Sequence, residues 1–313
     1  VHHRGERAVQ HRAGIDMNDW GSAGVDAAIP PIAADFLSMQ RMIVIGAEAE
    51  DGAVWASPLA GPQGFVHAAG ERHVAVDRVP ASFDPLGGAF ESERDLGMLA
   101  IEPASRRRMR VNGVARRVGV RLEIRTEQVY SNCPKYLQTR TLDPTEDPAL
   151  PVASRTADRL DAEQRQWIAS ADTFFVATRA AGLGADASHR GGNPGFVALT
   201  GDRGLTWPDY VGNAMYMTLG NLELDPRCGL LFLDWEHGRS LHLTGTARVD
   251  WDPDRAAGTP GAQRLVDFTL DRVVQVEGNL PLRWTLQQYS RFNPALKGTS
   301  QCFCQALIGI GSL

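Results

Sequence analysis

From Asp186 to Phe196 the chain reads DASHRGGNPGF, and from Trp207 to Asn221 it reads WPDYVGNAMYMTLGN. Neither run has the composition of a core segment. The first sets Ser188, His189 and Arg190 beside Gly191 and Gly192, and the second holds Asp209, Gly212, Asn213, Thr218 and Asn221. Hydroxyl and amide groups hydrogen-bond oxygen atoms, a guanidinium grips an oxyanion with a planar fork, and glycines let backbone N–H groups approach a ligand. These are the materials of a cradle for an anionic, sugar-like ligand. The same glycine, asparagine and proline residues also build hairpin turns, and a turn is the reading adopted for Asn193 and Pro194.

The whole chain bounds what such a cradle serves. At 313 residues, 43% hydrophobic and 22% charged, it is ordinary globular material with room for two domains. A formal net charge of -5 supplies no basic field for nucleic acid or an anionic membrane surface, so a small molecule is the expected partner. Cys133, Cys228, Cys302 and Cys304 are too few and too irregular for a disulfide framework, and the Cys302–Cys304 pair lacks further metal ligands nearby. No secretory-type segment opens the printed sequence, and no window approaches the roughly 20 apolar residues of a membrane helix. A soluble, cytoplasmic protein is expected.

The elements that must position the cradle occur twice. At an offset of 131 residues Ser57 falls on Ser188 and the GFV of Gly64–Val66 on that of Gly195–Val197. At an offset of 132, GMLAIEPASRRRMRVNGVAR (Gly97–Arg116) lies over GLLFLDWEHGRSLHLTGTAR (Gly229–Arg248). Recurrent Gly and Pro positions predict the same turns in both halves. Each half opens with a short helix, near Ala34–Met39 and Ala162–Ser170. Short, β-branched runs at turn-punctuated spacing follow, such as RMIVIGAEA, DTFFVATRA and SLHLTGTARV, the mark of a sandwich or barrel. The predicted fold is mainly β with a few short helices. Its expected parts are a flexible arm over 1–33, a first domain over 34–140, a linker over 141–160, a second domain over 161–290 and a tail over 291–313.

The ordered series SHRGGNPGFV, LTWPDYVGN, TLGNLELDPRCGLLFLD and LHLTGTARV resembles the pyridoxamine 5'-phosphate oxidase-like, FMN-binding split-barrel family. PASFDPLGG, GMLAIEPASRRRMRVNG and QVYSNCPKYLQTR are similar to the companion half of its two-barrel members. The resemblance covers about 36–286. It implies two split barrels forming a pseudodimer within one chain, as a monomer or a homodimer, with FMN held where the barrels meet. It also implies that DASHRGG runs beside the flavin and that PDYVGN meets its ribityl chain and phosphate. Ser188, His189, Arg190, Gly191, Asp209, Gly212, Asn213, Thr218 and Asn221 are then cofactor-binding candidates. Many relatives carry basic residues where this chain has Ala214 and Met215, so phosphate binding must lean on Arg190 or another strand.

The halves differ where it matters. Opposite Ser188, His189 and Arg190 the first half has Ser57, Pro58 and Leu59, while its RRRMR, Arg106–Arg110, faces HGRSL. Strand alternation would set Arg106, Arg108 and Arg110 on one face, either as a solvated stripe or as cations lent to a single flavin; Arg108 is the candidate, with Lys135 beside it. His189 is read as a hydrogen-bond donor to the flavin before a proton carrier. Trp207 and Trp284 are read as packing. The family implies an FMN-dependent oxidoreductase acting on a small-molecule substrate, or a flavin-binding or electron-transfer module served by a redox partner protein. Deazaflavin or haem are alternative cofactors.

Overall fold

The computed structural model describes residues 2–15, 25–143, 152–278 and 280–295. After helices α1 (Arg4–Arg12) and α2 (Pro31–Ser38), the first half consists of β1 (Met42–Glu48), β2 (Val54–Ala60), β3 (Val66–Gly70), β4 (His73–Val76), β5 (Arg94–Glu102), β6 (Arg107–Val118) and β7 (Arg121–Ser131). They form one sheet in the order β2-β1-β5-β6-β7-β4-β3, with antiparallel neighbours throughout. β8 (Thr139–Leu142) and β9 (Ala153–Ala157) lead to α3 (Ala162–Ser170) and the second half. That half comprises β10 (Thr173–Ala180), β11 (Gly184–Gly191), β12 (Ala198–Thr200), β13 (Gly204–Tyr210), α4 (Met217–Leu224), β14 (Arg227–Asp234), β15 (Arg239–Asp250), α5 (Pro253–Ala257) and β16 (Ala262–Glu277). Its order, β11-β10-β14-β15-β16-β13-β12, is the first order repeated strand for strand, and β17 (Trp284–Gln288) pairs back onto β8.

Each barrel fills mainly with the inward side chains of its own strands, and Val274 and Val276 at the end of β16 join the core of the first. Ile43, Ile45 and Ala47 of β1 join Trp55, Leu96, Met98 and Val111 in one core, and Phe174, Val176, Leu230, Phe232 and Leu243 anchor the other. The alternate residues of the same strands are buried too. Met42 and Val44 of β1 meet Phe175 and Ala177 of β10, with Leu99 and Leu231, in a third apolar cluster between the barrels. A strand wanted on both faces reads as a continuous apolar run, which is why MIVI and FFVA show no alternation.

The barrels touch through backbone. A Cβ on Gly97 of β5 would lie 2.5 Å from the Ala187 nitrogen on β11, and one on Gly229 of β14 would lie 2.6 Å from the Trp55 Cα on β2. Gly97 and Gly229 occupy matching positions in the two halves, as do β2 and β11. The same contact therefore occurs in both directions, as a twofold relation requires. At the axis Gly46 of β1 faces its own counterpart, Ala177 of β10, where a Cβ would stand 2.7 Å from the alanine methyl.

Two segments differ from the sequence-based expectation. The arm over 1–33 contains α1, with His3 as N-cap and Glu6 closing a capping box, and α1 packs on α4. Its docking is glycine to glycine, Gly5 on Gly220, and only the partner helix makes that short stretch worth folding. The linker over 141–160 contains β9, which adds an antiparallel strand to β16. Cys302 and Cys304 lie outside the described residues. Among the described residues no helix is long and apolar enough to cross a membrane.

Candidate functional site

β6 and the 132–136 loop of the first barrel face β11, β13, the 211–216 loop and the start of α4 of the second across a cleft of about 860 Å³, its mouth included. His189, Arg190, Gly191, Asp209, Gly212, Asn213, Thr218 and Arg108 all line it. Of the sequence candidates, Ser188 and Asn221 do not. Ser188 is fully buried and bonded to Asp186 Oδ2 (2.8 Å) and Thr218 Oγ1 (2.9 Å). Asn221 donates to Thr178 Oγ1 at 3.1 Å and meets His3 Nε2 at 3.0 Å. Both hold α4 against β10 and β11 from behind, so their donor chemistry serves the wall of the cleft. Trp207 lies in the second core and Trp284 in the cluster between barrels.

The cleft is rich in cations. Arg110 donates to Asp186 Oδ1 at 3.0 Å, tying β6 to β11 across the barrel boundary, and to Tyr130 Oη at 3.1 Å. Arg108 donates from Nε to the Cys133 carbonyl at 3.0 Å, from Nη2 to the Cys133 and Lys135 carbonyls, and from Nη1 to His189 Nδ1 at 2.8 Å. Arg190 makes one bond, to the His189 carbonyl at 3.0 Å, and its buried Nε has no partner. Asp209 accepts from Arg264 Nη1 at 3.1 Å, and Arg264 is itself sandwiched by Tyr216 and Trp251. Burial first, and then the nearby Arg110 and Arg190, push the Arg108 guanidinium down to about 9. Arg106 departs from the expected stripe: it sits at φ +56° before β6 and donates to Thr139 Oγ1 at 2.8 Å, away from the cleft.

Strain is concentrated at the rim. Four described non-glycine residues have positive φ, and three of them, Tyr136, Ala214 and Tyr216, line this cleft. Such conformations cost on the order of 1–3 kcal/mol each and persist where surroundings impose them. The Tyr136 carbonyl occupies the space a side chain at Gly191 would need, and its hydroxyl donates to the Val211 carbonyl at 3.1 Å. Its ring packs on Tyr210 with centroids 5.0 Å apart. The close approach of the 132–136 loop by itself requires glycine at position 191. Tyr136 and Asp186 lie inside runs the sequence singled out but were not themselves candidates, and the back support from α1 had no signal, because each acts through residues remote in the chain.

That support has a pH dependence. Glu6 of α1 is 1% exposed, accepts from the His3 backbone N–H at 2.8 Å, and is pushed up to about 7 mainly by burial. A carboxyl whose folded pKa is raised favours the docked state when protonated, so docking weakens as pH rises from the ordinary glutamate range through about 7. Glu6→Gln is expected to stabilise the chain above pH 7 by on the order of 1–3 kcal/mol, with little effect near pH 4.5. Denaturant midpoints of the two proteins across that range check it; parallel curves would contradict the assignment.

The matching cleft on the other side of the twofold is built differently. Pro58 and Leu59 stand where the second barrel has His189 and Arg190, and Ser240 and His242 of β15 stand where β6 has Arg108 and Arg110. Ser57 donates to Asp84 Oδ1 at 2.6 Å, Leu86 N to the same oxygen at 2.8 Å, and His242 is held by the Ala56 carbonyl and Ser240. These groups are buried and mutually satisfied, with no arginine at the equivalent positions.

With the geometry set out, comparison places the fold. Residues 160–277 match the family model described as Pyridoxamine 5'-phosphate oxidase. With the repeated strand order, the protein has the pyridoxamine 5'-phosphate oxidase-like split-barrel fold. Similar solved structures include HupZ of Group A Streptococcus (15% identity, 36% of this chain and 92% of that one, TM-score 0.31). Others are a FAD-binding protein of Mesorhizobium loti (16%, 40% and 97%, 0.28) and a Clostridium acetobutylicum protein related to general stress protein 26 of B. subtilis, of the pyridoxinephosphate oxidase family (13%, 40% and 92%, 0.28). No curated protein matches the chain.

Proposed function

We propose that the cationic cleft between the barrels binds one FMN per chain and that the protein is an FMN-dependent oxidoreductase acting on a small molecule. The observation that carries this is the surplus of buried positive charge. Arg110 is matched by Asp186 and Arg264 by Asp209, whereas Arg108 has only backbone carbonyls and a histidine and Arg190 only the His189 carbonyl; Arg110, Arg190 and Arg264 each leave a buried Nε–H unpaired. An unpaired buried donor is costly, and a phosphate group supplies the acceptors it lacks. The match of 160–277 to the oxidase family supports a flavin nucleotide as the source of that phosphate.

Arg190 and Lys135 would take the phosphate, with Gly212 and Asn213 near the ribityl chain and His189 near the ring. A bound flavin supplies the electron transfer, and the protein supplies binding, orientation and electrostatics. The second reading, an electron-transfer module working with a partner reductase, is favoured by one feature: Asp186 and Asp209 are ion-paired and His189 Nδ1 is engaged by Arg108, so these groups are not free to move protons.

Titration of the purified chain with FMN, followed by flavin fluorescence, is expected to saturate at one equivalent. Two equivalents would contradict the closed counterpart cleft, and absence of binding in the micromolar range would overturn the flavin assignment. Substrate-dependent reoxidation of the reduced complex separates the enzyme from the electron-transfer module.

A further inference from the structure

His189 is 5% exposed, sits on the face of β11 turned toward the first barrel, and lines the cleft. Its ring is held edge to face with Phe175, centroids 6.0 Å apart. The contact that fixes its chemistry is with Arg108, whose Nη1 lies 2.8 Å from His189 Nδ1. A guanidinium donates five N–H groups and accepts none, so Nδ1 must be the acceptor and carries no proton. A neutral imidazole has one ring proton, which is then on Nε2. The described residues make no hydrogen bond to Nε2. At the equivalent of Arg110 in the other half, His242 has both nitrogens engaged by the protein, by the Ala56 carbonyl and Ser240 Oγ.

We propose that His189 is a fixed neutral donor, oriented by Arg108 as its positioning residue, that presents Nε2–H to an acceptor atom of the molecule held in the cleft. The acceptor's belonging to FMN rests on the function proposed above; the tautomer does not. The charged groups around the ring favour the neutral state from every side. Arg108 and Arg110 come from β6, Arg190 from its own strand and Arg140, paired with Asp172, from β8; Lys135 of the 132–136 loop also lines the cleft. The nearby carboxylates are taken, Asp186 by Arg110 and Asp209 by Arg264. Burial, then the surrounding guanidiniums, hold the ring well below the ordinary histidine range. The ring therefore stays a hydrogen-bond donor through neutral pH and carries no proton between ligand and solvent.

The decisive measurement is ¹H–¹⁵N NMR of the histidine rings in the ligand-free protein between pH 5.5 and 8, with His189→Gln providing the assignment. His189 is expected to show one proton, on Nε2, and no titration in that window. In Arg108→Met the ring is expected to titrate, its midpoint moving up toward the ordinary range, because a donor and a like charge have both been removed. A wild-type ring protonated on Nδ1, or one that titrates near pH 6.5, overturns the proposal. A second arm uses FMN at pH 7.5. His189→Gln, whose amide still donates, is expected to stay within about threefold of wild type, while His189→Leu loses about tenfold. Equal affinities for His189→Leu and wild type would remove the ligand contact from the proposal. If the wild type fails to bind FMN, the flavin reading falls and the NMR result still decides the tautomer.

Discussion

Arg190→Ala is expected to weaken FMN binding ten- to a hundredfold, the loss of a charge-assisted hydrogen bond on the order of 1.5–3 kcal/mol. The guanidinium makes a single bond, to the His189 carbonyl, and its Nε is buried without a partner. It is therefore the cleft arginine with the most unused hydrogen-bonding capacity. Arg108 is already committed to the carbonyls of Cys133 and Lys135 and to His189, so its replacement acts mainly through the histidine and the loop. Parallel fluorescence titrations of Arg190→Ala and Arg108→Ala check this order. Wild-type affinity for Arg190→Ala together with a collapse for Arg108→Ala would place the phosphate on the first barrel.

The largest stability effect is expected away from the cleft. Arg140 of β8 donates from Nη2 to both oxygens of Asp172, at 2.7 and 2.6 Å, and stacks over the Trp235 ring. Both residues of the pair are 6% exposed. The pair joins the strand that follows the first barrel to the entry of β10 in the second. Arg140→Ala leaves the Asp172 carboxylate buried without its partner, which costs about 3–5 kcal/mol. Replacing both members, as in Arg140→Met with Asp172→Leu, is expected to be milder, because no charge is then stranded. Chemical denaturation of the three proteins measures it. A double variant less stable than Arg140→Ala would show that the packing on Trp235, and not the stranded charge, carries the effect.

Much of the architecture could be read from the amino-acid sequence because it is local and repeated. The offsets of 131 and 132 residues implied two halves with the same turns, and the sheets have the same strand order. Helix α3 matched its predicted span, and β1, β10 and β15 fell within two residues of the runs that announced them. Periodicity carries such information because each strand's side chains must satisfy the sheet it belongs to. The absence of alternation in MIVI and FFVA already reflected burial on both faces, although only the barrel contact explains it.

The site was legible as a composition and not as an arrangement. SHRGG and PDYVGN supplied the right neighbourhood, and eight of the ten candidate residues line one cleft. Which way each donor points was decided by partners far along the chain. Ser188 turned inward because Asp186 and Thr218 were there to receive it, and Asn221 because Thr178 and His3 were. Gly191 is glycine because the Tyr136 carbonyl of the other barrel presses against it. α1, RGERAVQHR, is almost wholly polar and could not be distinguished from an arm, since its buried face is completed only against α4. The sequence by itself determined the strands, their repetition and the asymmetry of charge between halves, all consequences of neighbours within a few residues. Only the tertiary structure decided that Arg108 meets His189 and that Arg110 meets Asp186, because those pairs form across the contact between two barrels, where chain separation says nothing about distance.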